Sequence, residues 1–240
     1  MRVLITRPRE DATPLAAELA ALGHETLIEP LLTIVPRRDA EIDLAGVQAI
    51  AFTSANGARV FARLSPRRNL PVYAVGDSTA EAARRARFAE VESADGDVET
   101  LAALIAARLD PAAGAVFHAA ARRVAGDLQG RLQAAGFAVS RVVLYDAEPI
   151  PAFSPATAAA LRDGSIDAIL FFSPRTGETF VSLMSEANLT HAYGRWHAIC
   201  VSQAVADQVG DVSWRSLQVA DRPTRAGLMD SLAAVAARNV

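Results

Sequence analysis

Lysine is absent from the 240 residues: all 24 basic residues are arginine. Schiff-base and pyridoxal-type lysine chemistry is thereby excluded. Genome composition alone accounts for an arginine excess, although planar guanidinium forks also suit carboxylates. A single cysteine, Cys200, rules out an intrachain disulfide and a Cys-rich metal site. The four histidines, at 24, 118, 191 and 197, show no i,i+4 pairing and no acidic companion at ligand spacing, so no metal site is expected. A formal net charge of −3 argues against a polyanion partner, and no nucleic acid is expected. No stretch approaches the ~20 apolar residues of a membrane span. The apolar start "MRVLITRP" breaks at Pro8, too short for a secretory leader. A soluble cytoplasmic protein without membrane contact is expected. G-x-G-x-x-G, G-x-x-x-x-G-K-[ST] and G-x-S-x-G are also missing, so the chemistry is expected to need no nucleotide, metal or covalent nucleophile.

Hydrophobic residues make up 51% and charged residues 21%, a globular composition whose length permits one large domain or two small ones. Short apolar runs recur: "RVLIT", "ETLIEP", "VQAIAFT", "PVYAVG", "AVFHA", "VSRVVLY", "DAILFF", "HAICVS" and "SLQVA". Between most of them lie segments with helical spacing, such as "PLAAELAALG" and "VETLAALIAARL". Continuous apolar strands alternating with helices predict an α/β protein with parallel sheets covered on both faces.

The chain also repeats itself, in permuted order. "AIAFTSANGARVF" matches "AILFFSPRTGETF", and "YAVGDSTAEAA" matches "HAICVSQAVAD", which pairs Gly76 with Cys200, Ser78 with Ser202 and Thr79 with Gln203. "VESADGDVETLAALIAARL" resembles "QVADRPTRAGLMDSLAAVAAR" with a residue of slip. The last block of the first copy, residues 116–139, finds its partner at residues 3–26, pairing Val116 with Val3 and Gly136 with Gly23. Two similar five-stranded domains follow, one inserted into the other. The discontinuous domain is expected over 1–30 plus 151–240 and the inserted one over 37–145. Linkers at 31–36 and 146–150 contain extended-looking runs able to pair with each other. Chance similarity among Ala-rich segments is the competing explanation, and the ordered blocks speak against it.

Ligands of open parallel sheets bind beyond the carboxyl ends of the strands. Ser54, Ser173, Gly76–Thr79 and Ser202–Gln203 all fall there, each at the start of a helical segment. Helix N-termini offer free N–H groups and a positive dipole end. For any single serine, N-capping is a sufficient explanation. Four such ends, spread over two domains with a double linker, are expected to line a cleft for an anionic ligand.

"VLITRP", "FTSANG", "FFSPRT", "AVGDSTA", "VVLYDAEP" and "LQVADRPTRAGLMDSL" together resemble the uroporphyrinogen-III synthase family. The likeness runs over nearly the whole chain in the family's order; the ordered set carries it rather than any one motif. The resemblance implies two flavodoxin-like domains joined by a two-stranded linker. It implies a cofactor-independent carbon–oxygen lyase (a hydro-lyase) of tetrapyrrole and heme biosynthesis. The implied substrate is hydroxymethylbilane, a polycarboxylate linear tetrapyrrole. Its terminal hydroxyl leaves as water, the macrocycle closes and ring D is inverted through an azafulvene cation and a spiro intermediate. A monomer is expected from the same likeness.

Tyr145, in "LYDAEP", matches the family's tyrosine and is the implied general acid toward the leaving hydroxyl; an edge-capping amphipathic role is the alternative. Thr53, Ser54 and Asn56 of the first elbow, Ser173, Pro174 and Arg175 of the second, and Gly76 and Thr79 of the "AVGDSTA" turn are the implied substrate contacts. Ser202 and Gln203 stand in the second copy of that turn. Arg7 joins Arg175 as an arginine placed at a strand end to meet carboxylates; Arg59 and Arg122 are weaker candidates. Asp77 and Asp146 read as solvent-facing turn residues, and Cys200 as a small strand-end residue. "HAAARR", residues 118–123, departs from the Gly-containing turn common among relatives. A non-catalytic two-domain binder of a small anion or tetrapyrrole, or a regulatory protein that has kept the fold, is the alternative function.

Overall fold

The computed structural model describes residues 1–124 and 126–238. Residue 125, inside the repeated 116–139 block, and residues 239–240, the end of the expected discontinuous domain, lie outside the described residues. The strands are β1 (Arg2–Ile5), β2 (Glu25–Ile28), β3 (Leu32–Pro36), β4 (Val47–Phe52), β5 (Val72–Ala74), β6 (Val91–Ser93), β7 (Ala115–Ala121), β8 (Val139–Pro149), β9 (Ala168–Phe171), β10 (His197–Cys200) and β11 (Ser216–Val219). The helices are α1 (Arg9–Ala21), α2 (Ala55–Leu64), α3 (Asp77–Arg85), α4 (Val98–Arg108), α5 (Leu128–Ala134), α6 (Pro155–Asp163), α7 (Pro174–Glu186), α8 (Gln203–Val209) and α9 (Arg225–Ala237). Among the described residues, no helix is long and apolar enough to cross a membrane.

Two compact units divide the chain: residues 1–33 with 148–240, and residues 34–147. In the discontinuous unit the strand order is β11-β10-β9-β1-β2, every pair parallel. All four residues of β9 and of β10 are buried, as strands covered on both faces require. Side-chain alternation splits the core in two. Leu4, Ile169 and Phe171 pack with Leu161, Phe180 and Val205 of α6–α8, while Val3, Ile5 and Leu170 pack with Leu15 and Leu19 of α1 and Leu228 and Leu232 of α9.

The inserted unit has the order β3-β8-β7-β4-β5-β6, and its inner pairs from β8 to β6 are parallel. Ile50, Phe52 and Phe117 pack with Phe61 of α2 and Ala83 of α3 on one face; Ala49, Ala51 and Val116 pack with Leu101, Ile105, Leu128 and Leu132 of α4 and α5 on the other. Phe61 is the hub of the first layer, 5.8 Å from Phe52 and from Phe117 in edge-on contacts. The five-strand expectation fails here, because β3 is a sixth strand. The segment expected as a linker is drawn into the sheet by the length of β8, whose outer edge would otherwise present unpaired backbone groups. Arg37 N donates to Leu144 O at 2.7 Å, and Ile150 N donates to Leu31 O at 3.1 Å, so β3 and β8 run antiparallel.

Strand order gives the permuted repeat its structural meaning. Taking β7 with β1, β8 with β2, β4 with β9, β5 with β10 and β6 with β11, both sheets have the same sequence of neighbours. The pairing of residues 116–139 with 3–26 agrees with the register: Val116 lies opposite Val139, and Val3 opposite Thr26. The pairing of Gly76 with Cys200 needs correction. Ile50 faces Val72, whereas its counterpart Ile169 faces Ala198, which makes Gly76 the equivalent of Ser202. Those two residues cap α3 and α8. A two-residue slip leaves every side chain on its original face, so alternation in the sequence cannot reveal it.

Candidate active site

Each sheet reverses its strand order once, between β4 and β7 in the inserted unit and between β1 and β9 in the discontinuous one. Open α/β sheets hold ligands at the carboxyl ends of the strands flanking such a point.

In the inserted unit, β4 ends at Phe52, and Thr53 and Ser54 lead into α2. Ser54 is the N-cap of α2, its Oγ accepting from Gly57 N at 3.1 Å. The same oxygen is 2.6 Å from the Tyr145 hydroxyl. Gly57 permits this arrangement: a Cβ on it would stand 3.0 Å from the Ala119 carbonyl oxygen of β7. Tyr145 reaches the elbow because β8 slips register against β7, where Ala120 faces Val143 but Ala121 faces Tyr145. Leu144 is the extra residue, and the irregularity lets both Leu144 and Tyr145 be buried. Arg122 N donates to Tyr145 O at 3.1 Å, and its guanidinium holds the Asp146 carboxylate at 2.6 and 3.3 Å. Asp146 is therefore an ion-pair partner flanking the tyrosine, its carboxyl held below the usual range chiefly by the Arg122 hydrogen bond. Burial pushes the Tyr145 phenol above its ordinary value, with the Ser54 hydrogen bond and the Arg59 charge pulling the other way. The phenol stays protonated across the physiological range.

Thr53 takes a partner from the opposite face of the sheet. Its Oγ1 is 3.3 Å from Nε2 of His118, a buried residue of β7 that lies opposite Ala51. Burial, and secondarily the Arg141 charge, lower the His118 pKa to about 4, so the imidazole is neutral at neutral pH. Nothing in the spacing of His118 along the chain assigns it a partner. The available signal was a histidine inside an otherwise apolar strand, "AVFHAAA".

The remaining residues singled out in this unit spread around the same strand ends. Asn56 Oδ1 accepts from Arg59 Nη1 at 3.0 Å. Gly76 is the N-cap of α3 with extended backbone, and Thr79 is buried in the first turn of that helix. "HAAARR" continues β7 as far as Ala121, and α5 begins only at Leu128, capped by Asp127.

In the discontinuous unit, Ser173 caps α7 as Ser54 caps α2, accepting from Thr176 N at 3.2 Å. Its second partner is the Thr176 hydroxyl, on its own helix, where Ser54 has Tyr145. Pro174 occupies the first turn of α7, where a missing N–H costs nothing. The Arg175 Nε is buried without a hydrogen-bond partner. Arg7 is mostly buried, its guanidinium 4.5 Å from the Phe172 ring centroid and 3.6 Å from the Asp11 carboxylate. Ser202 is the N-cap of α8 without a side-chain capping bond, and the exposed Gln203 donates to Asp207 at 2.7 Å. Cys200 is buried at the end of β10, and burial raises its thiol to about 12, out of the nucleophilic range.

The family model for "Uroporphyrinogen-III synthase HemD" matches residues 13–230. A curated Methanocaldococcus jannaschii protein, named as a candidate uroporphyrinogen-III synthase, is 44% identical over 57 residues, or 24% of this chain. The chain matches about a quarter of that relative's length, 24%. The crystal structure of uroporphyrinogen-III synthetase from Helicobacter pylori shares 17% identity at a TM-score of 0.64, covering 98% of this chain and 100% of that one. A mutant uroporphyrinogen III synthase from Thermus thermophilus shares 18% identity at a TM-score of 0.52, covering 99% of each chain. At those identities the two structures establish the α/β fold, with its parallel sheets and flanking helices. The family match extends over most of the sequence, and the chain belongs to the uroporphyrinogen-III synthase family.

Proposed function

We propose that this chain is a uroporphyrinogen-III synthase that cyclises hydroxymethylbilane with loss of water and inversion of ring D. The observation that carries the chemistry is the buried Tyr145 phenol, hydrogen-bonded to the Ser54 cap at 2.6 Å. Expelling hydroxide from a hydroxymethyl group requires a proton as the C–O bond breaks. Tyr145 is the group to give it, since burial keeps the phenol protonated until that bond polarises. As a phenolate develops, the Ser54 hydroxyl can turn to donate, and Arg59 supplies positive field. The cation left on the substrate then closes the ring, with no cofactor in the scheme.

The substrate carboxylates are assigned to the strand ends. In the inserted unit these offer Thr53, Ser54, Asn56, Gly76 and Thr79; in the discontinuous unit Arg7, Ser173, Pro174, Arg175, Ser202 and Gln203. At Gly76 the contact is with the backbone N–H, Pro174 has no N–H to give and contacts the ligand through its ring at the start of α7, and at Thr79 the burial of the side chain directs the contact to the N–H groups of the first turn. We further read each unit as a flavodoxin-like domain, with β3 an addition to the inserted one. The order β2-β1-β9-β10-β11 supports this, since it is the doubly-wound 2-1-3-4-5 pattern. The test is incubation with enzymatically made hydroxymethylbilane, then oxidation and chromatographic separation of isomers I and III. Isomer III is expected; isomer I alone, the product of unassisted closure, would overturn the proposal.

A further inference from the structure

The two units answer one structural question differently. His118 faces Ala51 across β7 and β4, and Thr53 follows two residues after Ala51, with its side chain on the same face. In the other sheet the equivalent register sets Ile5 of β1 opposite Leu170 of β9, and Phe172 follows two residues later. The place taken by His118 and Thr53 in one unit is thus filled by Ile5 and Phe172 in the other. An apolar pair completes this corner of the fold, so packing does not require the histidine. Burying an imidazole has a desolvation cost, and His118 Nδ1 is buried with no hydrogen-bond partner. Its retention calls for a role at the strand end.

The unpartnered nitrogen favours one tautomer. An orphaned buried N–H is tolerated less readily than an orphaned acceptor, so Nδ1 carries the lone pair and Nε2 the hydrogen. In that tautomer the 3.3 Å contact is a hydrogen bond from Nε2–H to Thr53 Oγ1. A hydroxyl that accepts from inside turns its own hydrogen outward. Thr53 is half-exposed and has room to present it. We propose that His118 is a positioning residue that sets Thr53 as an outward hydrogen-bond donor, selecting an acceptor-only ligand group, a carboxylate, at the end of β4. The inference rests on the synthase reading for the identity of that carboxylate. Because the imidazole is neutral, it works by direction and adds no charge.

Long-range ¹⁵N–¹H spectra of the wild-type protein at pH 7 read the tautomer directly. Nε2 is expected protonated and Nδ1 unprotonated; a protonated Nδ1 overturns the inference. Steady-state kinetics with hydroxymethylbilane supply the second arm. His118→Ile, copying the other unit, and Thr53→Val are each expected to raise KM about 3–10-fold with little change in kcat, as for one lost hydrogen bond. The double variant is expected to show no further loss, and His118→Gln, which keeps a donor, to recover KM to within about twofold. Additive losses, or a fall in kcat at unchanged KM, refute the relay. Failure of the synthase reading is a separate result, because there the wild type itself makes no isomer III.

Discussion

Replacing Tyr145 by Phe removes one oxygen from a buried ring and leaves its packing intact. Two effects of different size should separate. For stability, the lost group is one side of the 2.6 Å contact with Ser54. Ser54 Oγ still accepts from Gly57 N at 3.1 Å, so the cap of α2 survives and no buried oxygen is left wholly unpaired. The loss is that of one neutral hydrogen bond, about 1 kcal/mol. For turnover, the lost group is the proton donor to the departing hydroxyl. A positioned general acid contributes roughly 10²–10⁴-fold, or about 3–5 kcal/mol of barrier. Isomer III formation at saturating hydroxymethylbilane, set beside urea unfolding of the same preparation, measures both. The expected outcome is a kcat reduced at least about 100-fold with a shift in unfolding free energy of about 1 kcal/mol. Ser54→Ala should shift the balance toward stability: it loses the cap, about 0.5–2 kcal/mol, and because it keeps the proton-donating phenol it should lose less turnover than Tyr145→Phe. Turnover of Tyr145→Phe within about threefold of wild type would remove Tyr145 from the acid role, since the accepted range for such a group begins near 10².

Four further outcomes follow from the same geometry. His118 is neutral in the fold down to about pH 4, against an ordinary value of 6.5 for a solvated imidazole; between those values the unfolded chain binds a proton that the folded one does not. Stability therefore falls as pH drops from 6.5 toward 4, by at most about 3 kcal/mol; His118→Gln should flatten that interval of the urea-stability profile, and an unchanged slope would contradict the burial argument. Gly57→Ala should destabilise by about 1–3 kcal/mol because its Cβ meets the Ala119 carbonyl at 3.0 Å. Gly76→Ser, with extended backbone and its nearest neighbour at 4.0 Å, should be neutral or stabilising by a few tenths of a kcal/mol; urea midpoints compare the two. Cys200, with a thiol raised to about 12, should resist a disulfide reagent at pH 8 in the folded protein and react at once in denaturant; rapid labelling of the native state would show that β10 opens locally.

How much of the site was legible in the sequence depended on distance along the chain. The serine elbows at 54 and 173 could be read because a cap acts over three residues, through Gly57 N and Thr176 N. Arg122 and Asp146 could each be noticed but not paired, because 24 residues separate them and the strands β7 and β8 bring them together. His118 escaped for the same reason: only the register with Ala51 shows that its ring reaches Thr53. Tyr145 could be placed by family likeness but not positioned, since the register shift beside Leu144 is a property of two paired strands.

The sequence by itself determined the α/β class, through continuous apolar strands alternating with helices, and it determined the permuted repeat, because like segments bury like faces. It also excluded lysine chemistry and an intrachain disulfide by composition alone. Only the tertiary structure decided that β3 joins a sheet, that Gly76 corresponds to Ser202, and that consecutive residues Thr53 and Ser54 draw partners from opposite faces. The reason is that side-chain alternation records which face a residue occupies and is blind to register. Register is set when strands pair, and it is register that brings His118 and Tyr145 to the end of β4.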